Sequence, residues 1–196
     1  MIRLFSVVAT LVVAFAMGGC AHPISLQSDT ARLVGAGGGA KIDRKVALAI
    51  SDAQRTREVT SAGGGGDQVS YFPYRDLETG LYVALSETFT SVTRVSAATD
   101  PKVAQEGVAL VFAPEITTTS FSPSLLTWPP TVFTITIDAS VRTAANAPVT
   151  QIRVQGEGRA EFDEFKSDFS LSAKRAAQDA LRKLVDAIKA ASAQLR

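Results

Sequence analysis

The C-terminal stretch constrains the fold more than any other part of the chain. Ala173, Ala177, Ala180, Leu181, Leu184, Ile188, Ala191 and Leu195 recur at the three- and four-residue spacing of one helix face. Lys174, Arg175, Gln178, Asp179, Arg182, Lys183, Asp186 and Lys189 fill the opposite face. The pattern predicts a helix over about 170–194. Its apolar side is rich in alanine and lacks sustained a/d heptads, so it suits packing against a sheet better than a coiled-coil partner. The rest of the chain must then supply the sheet.

Strand candidates are present in sufficient number. Lys45-Val46-Ala47-Leu48-Ala49-Ile50-Ser51 is a short apolar run bounded by turn residues. A polar segment follows, broken by Gly63-Gly64-Gly65-Gly66, which reads as a loop or hairpin tip. Leu77, Leu81, Ala84, Leu85, Thr88, Phe89 and Val92 fall at helical spacing, with Asp76 and Glu78 in the first turn, where negative charge suits the helix dipole. They predict a helix over about 75–91 that leaves as a strand at Val92–Ser96. Val108–Ala113 is apolar on both faces and predicts a central strand. Phe133, Ile135, Ile137, Ala139 and Val141 alternate with Val132, Thr134, Thr136, Asp138 and Ser140, the pattern of a half-buried strand. Ala144–Pro148 reads as a hairpin turn, and Val149, Ile152 and Val154 change phase, which predicts a bulge. The order β-α-β-β-β-β-α implies an α+β two-layer sandwich: a mixed or antiparallel sheet of about four or five strands against two helices.

The N-terminus has the tripartite order of an export signal. Met1-Ile2-Arg3 starts it, Leu4–Ala16 carries no charge, and Met17-Gly18-Gly19 ends at Cys20. The apolar stretch is short for a membrane span. Small residues running directly into a cysteine resemble the bacterial lipobox, with Met17 where that motif usually has leucine. This resemblance implies cleavage before Cys20, a diacylglycerol unit on its thiol, and a further fatty acid such as palmitate on the amino group that cleavage exposes. Cys20 is the chain's one cysteine, so an intramolecular disulfide is excluded. Ala21, where enterobacterial inner-membrane lipoproteins carry aspartate, implies the outer membrane, facing the periplasm. The expected division is a signal peptide over 1–19, a lipidated flexible tether over 20–44 and a single α+β domain over 45–196. The tether rests on Pro23, Ser25, Ser28, Asp29 and the run Gly35–Ala40.

Charge and residue inventory narrow the function. Arg3 is the only charge in residues 1–19, so the net +1 of the chain falls to about 0 beyond them. Such a domain lacks the basic footprint of a nucleic-acid binder. His22 is the only histidine and lies in the expected tether, so neither a Ser-His nor a Cys-His pair is available to the domain. A metal site is not expected, because zinc sites use His or Cys in number. The run Gly35–Lys41 lacks the Gly-Lys-Ser/Thr context of a phosphate loop. No cofactor is expected, and the chain reads as a non-enzyme. Glu157, Glu161, Asp163 and Glu164 could serve glycoside hydrolysis if a cleft paired them. The alternation Glu161-Phe162-Asp163 favours a solvated strand face, with Arg153, Arg159 and Lys166 balancing the charge.

Two apolar segments are candidates for recognition. Phe121–Pro130 joins two strands yet holds Leu125, Leu126 and Trp128, the only tryptophan. These three either contact a partner or membrane or fold back as a lid on the core. Tyr71-Phe72-Pro73-Tyr74 leads into the first helix and reads as a hydrophobic staple.

A lipobox, a short strand, a helix at Asp76–Val92, a strand at Gly107–Ile116, two further strands and a helix at Ser170–Leu195 resemble the YajG-type envelope lipoproteins. The arrangement is also similar to the periplasmic α/β domains of LpoB, PelC, CsgG and the N-terminal part of TolB. The likeness covers most of 45–195 and rests on element order. The anchor, the missing catalytic set and the apolar loop point to a non-enzymatic module that binds an envelope protein or assembles with its own copies. An alternative is an auxiliary, ring-forming subunit of a transport or polysaccharide-export machine; a cell-wall hydrolase using the acidic cluster is a third.

Overall fold

The computed structural model describes residues 21–124 and 127–196. Its main sheet has five strands: β2 (Ile42–Ala49), β5 (Phe89–Val95), β6 (Leu110–Phe121), β7 (Val132–Thr143) and β8 (Pro148–Arg159), in the order β5-β2-β6-β7-β8. The β2 strand pairs in parallel with both neighbours, whereas β6–β7 and β7–β8 are antiparallel. Helix α2 (Pro73–Thr88) precedes β5, and helix α5 (Leu171–Ala190) follows β8. With those two helices the main sheet has the expected order β-α-β-β-β-β-α, and the α+β sandwich stands. Short helices α1 (Asp52–Arg55), α3 (Pro101–Gln105), α4 (Phe162–Phe165) and α6 (Ser192–Leu195) complete the α-helices among the described residues.

The β7 strand follows the sequence alternation: Phe133, Ile135, Ile137, Ala139 and Val141 are buried under the helices, and the intervening residues are half-buried. The β6 strand is central, as its two apolar faces require. Leu110 and Phe112 join the main core, and Val111 joins a smaller cluster with Ala47, Ala49, Val95, Val103 and Val108 on the far face. The phase change in β8 corresponds to a register shift where Val141 and Arg142 face Thr150 and Pro148.

Helix α5 lies on β8 almost backbone to backbone. A Cβ at Gly156 would sit 2.3 Å from the Ala176 carbonyl oxygen and the Ala180 nitrogen; one at Gly158 would sit 2.0 Å from the Ser172 carbonyl oxygen. The small residues at Gly156, Gly158, Ala176 and Ala180 are therefore one packing device. Held this close, α5 reaches the outer edge of β8. Lys183 Nζ donates to the Gln155 carbonyl at 2.9 Å, Asp179 accepts from the Glu157 amide at 3.0 Å, and Arg175 donates to the Arg159 carbonyl at 2.6 Å. These bonds occupy edge groups that would otherwise be free to pair with another strand.

A second sheet is added at one end. Strands β1 (Ala21–Pro23), β3 (Val59–Ala62) and β4 (Gln68–Tyr71) run in the order β1-β4-β3, β1 parallel and β3 antiparallel to β4. Its presence corrects the expected tether over 20–44. Within 21–44, Ile24, Leu26, Leu33 and Ile42 are buried, and Thr30–Leu33 forms a turn of 3₁₀-helix. The Leu26 amide donates to the buried Asp76 carboxylate at 3.0 Å, and the Ser25 amide to Ser170 Oγ at 3.0 Å. The glycine run is tied as well: the Gly35 amide donates to Glu87 at 2.8 Å, and Lys189 Nζ to the Ala36 carbonyl at 2.7 Å. Isolated apolar residues and backbone bonds hold this segment, and neither leaves a periodic trace in sequence.

Candidate functional site

The end of the sandwich where β6 finishes and β7 begins gathers the features that sequence singled out separately. Trp128, half-buried, stacks on His22 with ring centroids 4.2 Å apart and an interplanar angle of 27°. On another side it meets Phe169 at 4.9 Å. Part of its surface packs against the core and part stays accessible. Leu125, Leu126 and Cys20 lie outside the described residues.

The two unusual segments, Gly63–Gly66 and the Pro/Trp loop, pack on each other. The Gly64 amide donates to the Trp128 carbonyl at 2.8 Å, and a Cβ on Gly64 would lie 1.7 Å from the Thr127 carbonyl oxygen. Only glycine allows the hairpin tip to approach so closely. Ser61 and Ser120 hydroxyls stand 2.7 Å apart, and Tyr71 Oη reaches Ser61 at 2.9 Å and Thr118 at 2.7 Å, fixing the small sheet to β6. The Tyr74 hydroxyl accepts from the Ile116 amide at 3.2 Å. The Tyr71–Tyr74 cluster is therefore not the expected staple. The fourth helical residue is Asp76, and the two tyrosines are buried with their hydroxyls used in the core.

His22 sits in β1 and not in a tether; its Nε2 is 4.0 Å from an Asp67 carboxylate oxygen. Among the described residues, no group of three or more His, Cys, Asp or Glu side chains is arranged to hold a metal ion. No helix among them is long and apolar enough to cross a membrane.

The acidic cluster takes a different form from the one expected. Glu161 precedes α4, so Phe162–Phe165 is a helical turn and strand alternation does not apply. Arg175 forks Glu164 with contacts of 2.8 and 3.1 Å, and the Glu161 amide donates to the same carboxylate at 3.0 Å. The Arg175 bonds, with that amide, lower Glu164 from 4.5 to about 2. Lys166 pairs with Asp163 at 3.0 Å and Arg159 with Glu157 at 2.7 Å. A glycosidase acid needs a raised pKa to carry a proton near neutrality, and Glu164 is shifted the other way.

An open groove of about 900 Å³ runs between residues 25–32 and α5. Its charges are largely matched: Arg32 with Asp29 at 3.3 Å, Lys174 with Asp168 at 2.8 Å, and Asp179 with Lys183 at 2.7 Å. Gln178 Oε1, on the groove wall, is buried without a hydrogen-bond partner among the described residues. Such a groove offers polar contacts but no strong field of either sign.

Sequence reasoning missed the buried Asp76–Leu26 tie and the His22–Trp128 stack, both of which join segments far apart in the chain. Phe162, Phe165 and Phe169 had a signal, a spacing of three and four residues, that the acidic residues between them obscured.

No family model matches the sequence, and no curated protein matches it. Solved structures do resemble it. A Xanthomonas campestris protein of the DUF330 family aligns over 90% of this chain and 98% of its own, at 10% identity and a TM-score of 0.54. A minor lipoprotein of Acinetobacter baumannii aligns over 75% of this chain and 93% of its own, at 14% identity and a TM-score of 0.45. The chain shares its fold with the Xanthomonas protein.

Proposed function

We propose that this chain is a bacterial lipoprotein, cut before Cys20 and held by acyl chains on the periplasmic side of the outer membrane. There it acts as a non-enzymatic module that binds an envelope protein or assembles with its own copies. The observation that carries the reading is the run Met17-Gly18-Gly19-Cys20, where small residues and an apolar segment lead into the chain's sole cysteine. Two or more acyl chains give durable anchoring, whereas one gives marginal binding. The bidentate Glu164–Arg175 pair speaks against the acidic cluster as the paired carboxylates of a hydrolase, because it commits Glu164 to an ion pair with helix α5.

The test is metabolic acyl labelling with membrane fractionation, followed by crosslinking in envelopes. Wild type should carry label, remain with the outer membrane and crosslink to a second protein or a second copy. Cys20→Ala should lose label and retention. Label and retention that persist in Cys20→Ala would refute the anchor; a wild-type protein recovered only as an uncrosslinked monomer would refute the binding role.

A further inference from the structure

Among the described residues, the exposed phenylalanines sit at one end of the molecule. Phe121 is 58% exposed, Phe162 62% and Phe169 46%. Sheet register places them together. Phe121 closes β6 opposite Val132, the first residue of β7, and Val132 pairs with Arg159, the last of β8. Phe162 and Phe169 follow within ten residues of that strand end, and Phe169 touches Trp128.

The described chain begins at this same end. Ala21 pairs with Gln68 beside the β3–β4 hairpin tip, and the next residue, His22, stacks on Trp128. Cys20 is two residues before His22, at most about 7 Å of extended backbone. A lipid on Cys20 therefore holds the aromatic end within reach of the bilayer surface.

We infer that Phe121, Trp128, Phe162 and Phe169 form a membrane-docking end that lies in the lipid headgroup region. The inference rests on the Cys20 anchor of the proposed function. Aromatic rings are the residues that favour this boundary, because their apolar bodies tolerate it while polar neighbours stay wet. Arg159 and Lys166, both exposed, lie beside the rings, where long cationic stems can reach back to headgroups. Glu157 pairs with Arg159 and Asp163 with Lys166, so docking is driven by apolar contact and is insensitive to salt. Tethering multiplies a weak surface affinity by its effective concentration, so a few rings suffice to fix orientation.

The single tryptophan and single cysteine make the test direct. The chain from Cys20 onward, which holds the whole described core, is coupled through Cys20 to a maleimide lipid in phosphatidylcholine vesicles. This supplies an anchor whether or not cells do. Trp128 emission should then be quenched by brominated acyl chains and shielded from iodide, with no loss in high salt. Phe121→Ser with Phe162→Ser, both exposed positions, should abolish that quenching. The same pair of changes should lower partitioning of the untethered Cys20→Ala chain about tenfold. Trp128 equally open to iodide with and without vesicles would overturn the inference, as would quenching that the serine variants leave intact. Acyl labelling in cells reads the anchor separately, so failure of the anchor and failure of the docking end are distinguishable.

Discussion

Gly156→Ala is the sharpest probe of how α5 meets the sheet. The new Cβ would stand 2.3 Å from both the Ala176 carbonyl oxygen and the Ala180 nitrogen, and 2.7 Å from the Ala180 Cα. All three are backbone atoms, so no side chain can rotate away. Relief to an ordinary contact of about 3.4 Å requires α5 to lift by roughly 1 Å. A gap of that size forfeits up to half of each dispersion contact along the helix face. Ala173, Ala176, Ala177 and Ala180 are all fully buried there, so the loss is shared by a continuous surface. Overpacking of this kind costs about 1–3 kcal/mol, and an unyielding backbone partner places it at the upper end, about 3 kcal/mol. Against this, alanine restricts the unfolded chain and returns about 0.4–1 kcal/mol. The net expectation is a loss of about 2–3 kcal/mol. For a domain of this size that corresponds to a fall in Tm of about 4–12 °C. Thermal unfolding followed by circular dichroism, with urea titration as a second measure, reads it. Gln155→Ala, an exposed neighbour on the same strand, should change stability by less than about 0.5 kcal/mol. A Gly156→Ala protein as stable as wild type would refute the claim that backbone contact sets the height of α5.

Two further outcomes are expected. Asp76→Ala should cost about 1–3 kcal/mol by leaving the Leu26 amide without its acceptor, and amide exchange at Leu26 should accelerate more than at β7 sites; unchanged protection would refute the tie. Glu164 is held below its ordinary value of 4.5, so its contribution is present above that pH and is lost as pH falls towards about 2. Glu164→Gln should therefore lower stability at pH 7 and remove part of the decline between pH 4.5 and 2; parallel pH profiles for the two proteins would count against the Arg175 pairing.

Elements whose side chains repeat were legible in the residues alone. The alternation from Val132 to Val141 set one face of β7, and the Ala/Leu stripe set the buried face of α5. In both, each residue's fate follows from its neighbours at two or at three and four positions, which is local information. Where single residues meet depends instead on how the elements pack. Leu26 and Leu33 are buried without any periodic pattern around them, so their segment reads as a tether until Asp76 and Ser170 are seen holding it. The acidic residues after β8 read as a solvated strand face until Arg175, from the next helix, draws Glu164 into an ion pair. Trp128 was recognisable as unusual, but its neighbours His22, Gly64 and Phe169 come from three other parts of the chain. Periodicity encodes which face of an element is apolar. It carries no record of which distant residues share an end of the molecule, and at that end the exposed rings and the chain leading from Cys20 come together.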